Sequence, residues 1–187
     1  MIGTLVVDDD FRVADVHAGY VKSVTGFTVV GVAQSAAQTL RAVQDRRPDL
    51  VLLDLYLPDE HGLDVMRRLD EVPTPPDVIV VSAARDLASV RRAMRQGAVG
   101  YVAKPFGFAL LNERLCAYRD LRRRVAALST EGSQAAEQSD IDALFALLGG
   151  STVAPAPKGQ SESTMRLVRE AVRHAAPDIS AVQVADS

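Results

Sequence analysis

At 187 residues, 48% apolar and 24% charged, the chain is long enough for one well-packed domain and a smaller appendage. A net charge of −3 excludes a basic nucleic-acid surface over the whole molecule, although "RDLRRRV" at 119–125 is locally basic and reads as a solvated helix face. The single cysteine, Cys116, excludes an internal disulfide; no apolar stretch reaches the ~18 residues of a membrane-spanning helix; and Met1 leads into Ile2, Gly3 and Thr4 rather than a targeting segment, so a cytoplasmic protein is expected.

The first apolar run, "TLVV" at 4–7, ends in Asp8, Asp9 and Asp10. Carboxylates ~4 Å apart repel by about 1 kcal/mol in water and about 4 kcal/mol at a surface-like dielectric, so three together are either solvated or hold a cation. Asp10 suits the N-cap of a first helix, whose apolar face is expected at Val13, Val16, Tyr20 and Val21. "FTVVGVA" at 27–33 reads as a second strand, followed by a helix with Leu40 and Val43 on one face. "DLVLLD" at 49–54 is a third strand, with Val65, Met66 and Leu69 on the helix after it. "DVIVVS" at 77–82 is a fourth, followed by a helix with Asp86 as N-cap, Val90 and Met94 on its inner face and Gly97 at its C-terminal cap. "GYVAK" at 100–104 is the fifth. In the long helix after "KPF", Leu111, Tyr118, Leu121, Val125 and Leu128 form an approximate stripe interrupted by Arg114, whose distal part is expected to be exposed in a monomer and paired in a dimer.

The strands are apolar on successive residues, as parallel strands covered on both faces are. Five such βα units over 1–128 predict an α/β fold with a doubly wound, five-stranded parallel sheet of flavodoxin-like type. Beyond it, 129–163 reads as a linker with a short helix at 141–148, and 164–187 as a partial all-α segment that opens a second domain.

Ligand sites of doubly wound sheets lie at the carboxyl ends of the strands. With strand one central, that edge gathers Asp8, Asp9, Asp54, Ser82 and Lys104. Mg²⁺ takes oxygen ligands, commonly one or two carboxylates with waters and a phosphate. Asp9 and Asp54 are expected to give direct oxygens, Asp8 one through water and Tyr56 its main-chain carbonyl. Lys104 suits a phosphate as a point charge, and Ser82 can donate one hydrogen bond to a phosphoryl oxygen. His17, His61 and His174 have no metal-binding spacing and read as structural or solvated.

"LVVDDD", "VLLDLYLPDEHG", "VVSAARD" and "GYVAKPF", in this order and spacing, resemble the receiver domain of two-component response regulators. The resemblance implies that Asp54 is the phosphoacceptor, Asp8 and Asp9 the acidic pair for Mg²⁺, Ser82 the switch hydroxyl, Tyr101 the switch aromatic and Lys104 the phosphate-binding lysine. It implies a sensor histidine kinase as partner, and that Ala83 leaves the acceptor accessible. "AKPFGFALLNERLCAYRDLRRRV" and "PKGQSESTMRLVREAV" further resemble the citrate- and C4-dicarboxylate-responsive regulators, in which a C-terminal helix-turn-helix binds DNA; here the sequence stops at Ser187, within what reads as the first helix of that motif. Phosphorylation is expected to control transcription through that domain and to favour a homodimer. Two alternatives remain: a receiver without DNA output, and a haloacid-dehalogenase-like phosphatase using Asp8 and Asp10 as its Asp-x-Asp pair, which needs a later acidic strand end that is not evident after Lys104.

Overall fold

The computed structural model describes residues 1–130, with side chains described through 127. The elements alternate as the sequence pattern predicts: β1 (Ile2–Val7), α1 (Phe11–Lys22), β2 (Phe27–Ala33), α2 (Ala36–Arg46), β3 (Leu50–Leu53), α3 (Gly62–Asp70), β4 (Asp77–Ser82), α4 (Leu87–Arg95), β5 (Gly100–Ala103) and α5 (Phe108–Thr130). The linker at 129–163, its short helix at 141–148 and the expected helix-turn-helix start at 164–187 lie outside the described residues, apart from the end of α5.

All four strand pairs are parallel, in the order β2-β1-β3-β4-β5. The middle strand is therefore β3 and not β1, which corrects the expectation, but β1 still lies inside the sheet and directly beside β3. Alternating side chains divide the core into two layers, because successive residues of a strand point to opposite faces. Leu5, Val7, Val51, Leu53, Val78 and Val80 pack under α2, α3 and α4, against Val43, Leu63, Met66, Leu69 and Ala93. Val6, Leu50, Leu52, Ile79, Val81 and Val102 pack under α1 and α5, against Ala14, Val21, Leu111, Leu115 and Tyr118.

The helix ends match their sequence signals. Asp10 accepts from the Arg12 and Val13 N–H groups, Asp86 accepts from Ser89 N–H, and Gly97 takes φ 92° beyond the end of α4.

Three expected helix faces need correction. The buried stripe of α1 is Ala14, His17, Ala18 and Val21, while Val16 is 51% exposed. In α4 the buried residue is Ala93, and Met94 is 55% exposed. In α5, Leu115 fills the gap ascribed to Arg114, so Leu111, Leu115 and Tyr118 cover the sheet of their own chain, and Leu121 is buried as well. Leu121 is only 5% exposed, so the part of the stripe available to a second copy is shorter than expected. The basic run is also more engaged than a solvated face: Arg119 donates to the Thr25 carbonyl at 2.9 Å, and Arg122 pairs with Asp49 at 3.0 Å.

Candidate functional site

Four adjacent strands, β1, β3, β4 and β5, each deliver one polar residue to the same end of the sheet. Asp8 follows β1, Asp54 follows β3, Ser82 ends β4 and Lys104 follows β5. The ladder continues past the strand ends and fixes the first two main chains: Asp8 N–H donates to the Ala33 carbonyl at 3.1 Å, and Asp54 N–H to the Val7 carbonyl at 3.0 Å. Gly62 closes the loop after Asp54. A Cβ there would lie 2.5 Å from the Asp54 carbonyl oxygen and 2.7 Å from Leu55 Cα, so only glycine lets the start of α3 approach so closely.

The two carboxylates are held alike. Asp8 Oδ1 accepts from Asp10 N–H at 3.3 Å and Asp54 Oδ1 from Tyr56 N–H at 3.1 Å, each two residues further on. Their Oδ2 atoms share one ammonium, with Lys104 Nζ 2.5 Å from Asp8 and 2.6 Å from Asp54. Asp8 is 1% and Asp54 4% exposed, whereas Asp9 is exposed. The three carboxylates each place an oxygen within 4.8 Å of the others.

Burial raises the Asp8 carboxyl above its ordinary range, against the pull of Lys104. Burial also works against the Lys104 ammonium, but the hydrogen bonds and charges of Asp54 and Asp8 outweigh it and hold this lysine above its ordinary value, so it is charged.

Ser82 is fully buried, with Oγ accepting from Ala84 N–H at 3.3 Å. Ala83 beside it is exposed and small. Tyr101 is half-buried and donates its hydroxyl to the Ala84 carbonyl at 2.6 Å; burial and then the Asp86 charge raise its phenol, which keeps its proton. Tyr56 exposes its ring to solvent. Asp10 stands outside the cluster as an exposed cap, and the element after Lys104 is α5 rather than an acid-ended strand, so the phosphatase alternative finds neither feature it needs among the described residues.

The sequence reading missed two neighbours of the site. His17 is buried, with Nδ1 3.6 Å from Asp8 Oδ2 and its ring stacked on Phe106 at 4.9 Å. Burial, then the Lys104 charge, lowers its pKa to about 4, so it is neutral at pH 7 and its distance from Asp8 is too long for a hydrogen bond. The signal was the spacing 14, 17, 18, 21, which is a helix stripe once alanine is counted as apolar. Arg85 donates to the Lys104 carbonyl, a contact that no local spacing announces.

Residues 4–116 match the family model of the response regulator receiver domain. The chain belongs to this family. It is similar to the transcriptional regulatory protein MalR of Bacillus subtilis, at 32% identity over 173 residues, covering 92% of this chain and 72% of that protein. Similarity to the transcriptional regulatory protein CitT of the same organism is 32% over 193 residues, covering 100% of this chain and 81% of CitT. Among solved structures, the response regulator domain of Thermotoga maritima CheB superimposes with a TM-score of 0.56 at 27% identity, covering 62% of this chain and 91% of that one. The receiver is thus part of a two-component response regulator, and its acidic cluster of Asp8, Asp9 and Asp54 is of the kind that binds Mg²⁺. The donor set fits that ion, because all three groups offer hard oxygen and the exposed Asp9 leaves the cluster open to water and a phosphate.

Proposed function

We propose that the receiver is phosphorylated on Asp54 by a sensor histidine kinase, and that the modification controls transcription through a C-terminal DNA-binding domain. The observation that carries this reading is the buried Asp54 carboxylate, with one oxygen on Lys104 and the Asp8 and Asp9 carboxylates beside it. In this reading a nucleophile, a bridging ammonium and an acid pair suited to a metal meet at one point.

Asp54 attacks the phosphorus of a phosphohistidine in line; an O–P bond forms while the P–N bond breaks, and the imidazole leaves with the electron pair. Asp8, Asp9, Asp54 and the Tyr56 carbonyl would hold Mg²⁺, which when bound neutralises phosphoryl charge. Lys104 trades a carboxylate oxygen for a phosphoryl oxygen, and the Ser82 hydroxyl turns its donor toward the same group. Ser82 and Tyr101 both touch Ala84, so rearrangement at Ser82 is felt at the Tyr101 hydroxyl. Moving such a switch from 1:99 to 99:1 takes about 5.5 kcal/mol of differential interaction, a scale that charge-assisted bonds to Lys104 and Ser82 together with a metal can supply.

DNA-directed output is supported by the relatives, which are named transcriptional regulators. A cytoplasmic location follows from this reading, and no described helix is long and apolar enough to cross a membrane. Phosphorylation should also strengthen homodimer formation through the α4–β5 face, where Leu87 and Met94 are exposed.

The test is intact mass after treatment with acetyl phosphate and Mg²⁺. One phosphoryl group should be gained, and none by Asp54→Asn; equal phosphorylation of that variant would overturn the assignment.

A further inference from the structure

Arg85 lies in the loop between β4 and α4, after Ala84 and before the Asp86 that caps α4. Its side chain is exposed, yet its guanidinium is not left to water: Nε and Nη2 donate to the Lys104 main-chain carbonyl at 3.2 and 2.8 Å. Among the described residues no carboxylate forms an ion pair with it. A guanidinium gains more from a carboxylate than from one neutral carbonyl, so an ion pair does not explain this placement.

The contact completes a set of restraints on one residue. Lys104 N–H donates to the Ser82 carbonyl at 2.9 Å, the Lys104 carbonyl accepts from Arg85, and Nζ bridges Asp8 and Asp54. Two of these restraints come from the segment 82–85, which is itself tied to β5 by the Tyr101 bond to Ala84. A lysine side chain has four rotatable bonds, and any freedom of its main chain adds to the volume its ammonium explores. A phosphoryl group needs that ammonium at one place, and small misplacements of a positioned group are costly in rate.

We propose that Arg85 is a positioning residue that clamps the main chain of Lys104, so that the ammonium can move from carboxylate to phosphoryl oxygen while its base stays fixed. The inference rests on the proposed role of Asp54 and Lys104 and adds a residue to it. Arg85 touches no reacting atom and acts through Lys104 alone.

The test is a double-mutant cycle read as the initial rate of phosphorylation by acetyl phosphate with Mg²⁺. Arg85→Ala should slow the parent protein about fivefold, which is ~1 kcal/mol of barrier. In the slower Lys104→Ala background the same substitution should cause no further loss. Arg85→Lys, which keeps the charge but loses the fork of donors, should fall between Arg85→Ala and the parent. It carries the same comparison should Arg85→Ala lower the thermal midpoint. An equal slowing in both backgrounds would show that Arg85 acts independently of Lys104, and an unchanged rate in the parent would show that it does not act; either overturns the proposal. Phosphorylation that persists in Asp54→Asn would instead defeat the underlying reading, so the two failures are distinguishable.

Discussion

Replacing Lys104 by methionine removes the one charge shared by Asp8 and Asp54 while keeping most of the side-chain volume. The carboxylates are 1% and 4% exposed and place oxygens within 4.8 Å of each other. At that separation and an effective dielectric of about 20, two unit charges repel by ~3.5 kcal/mol. The lysine side chain is itself 18% exposed, so solvent already screens part of its attraction, and proton uptake by the raised Asp8 caps the penalty. A loss of about 2–3 kcal/mol is expected at pH 7 without metal, or roughly 6–12 °C in thermal midpoint for a domain of this size. A divalent cation replaces the missing charge, so Mg²⁺ should bind Lys104→Met more tightly than the parent and recover most of the loss; a concentration of 100 Kd alone returns about 2.7 kcal/mol. Thermal unfolding in EDTA and in Mg²⁺, for both proteins, measures all four quantities. Equal midpoints in EDTA, or equal gains from Mg²⁺, would refute the claim that Lys104 neutralises this pair.

Gly62→Ala should cost about 1–3 kcal/mol, seen in the urea midpoint, because its Cβ would meet backbone atoms of Asp54 and Leu55 that cannot move aside without shifting the acceptor loop. Tyr118→Phe should cost about 1–2 kcal/mol by the same assay, since the hydroxyl at the opposite end of the sheet donates to Asp77 Oδ2 at 2.7 Å. Acid should weaken the metal-free protein through His17, whose pKa is 6.5 when unfolded and about 4 when folded. Between these values the unfolded chain binds a proton that the folded one refuses, so the stability is complete above about pH 6.5 and is lost progressively as pH falls toward 4, by about 3 kcal/mol in all. The urea midpoint of His17→Gln should fall less steeply over that window; parallel curves would show that His17 is not the group responsible.

The bounds of β2 and β4 were legible to the residue because each is a run rich in β-branched residues set off by turn or polar residues, even though β2, at the sheet's edge, is only partly buried. Asp8, Asp54, Ser82 and Lys104 were legible for a related reason: a polar residue at the end of such a run has only the sheet edge to go to. The helix faces were less so. In α1 and α4 the residues nearest the sheet are Ala14, Ala18 and Ala93, since a helix lies closest where its side chains are smallest, and a reading weighted toward Val16 and Met94 turns the helix outward. Contacts such as Arg85 to Lys104 and Arg122 to Asp49 were not legible at all. A long polar side chain chooses among several partners within reach, and only the completed fold decides which is presented.

Charge counting at the strand ends gives His17 a part in the proposed chemistry. Asp8, Asp9 and Asp54 bring three negative charges when ionised and Lys104 one positive, which leaves a deficit of two, the charge of one Mg²⁺. A protonated imidazole 3.6 Å from Asp8 would halve that deficit and oppose a divalent cation. Burial on the inner face of α1, against Phe106, keeps the ring neutral, so the histidine fills space against Asp8 without discharging it. The same burial that costs stability in acid therefore preserves, at neutral pH, the negative balance that suits the proposed divalent cation.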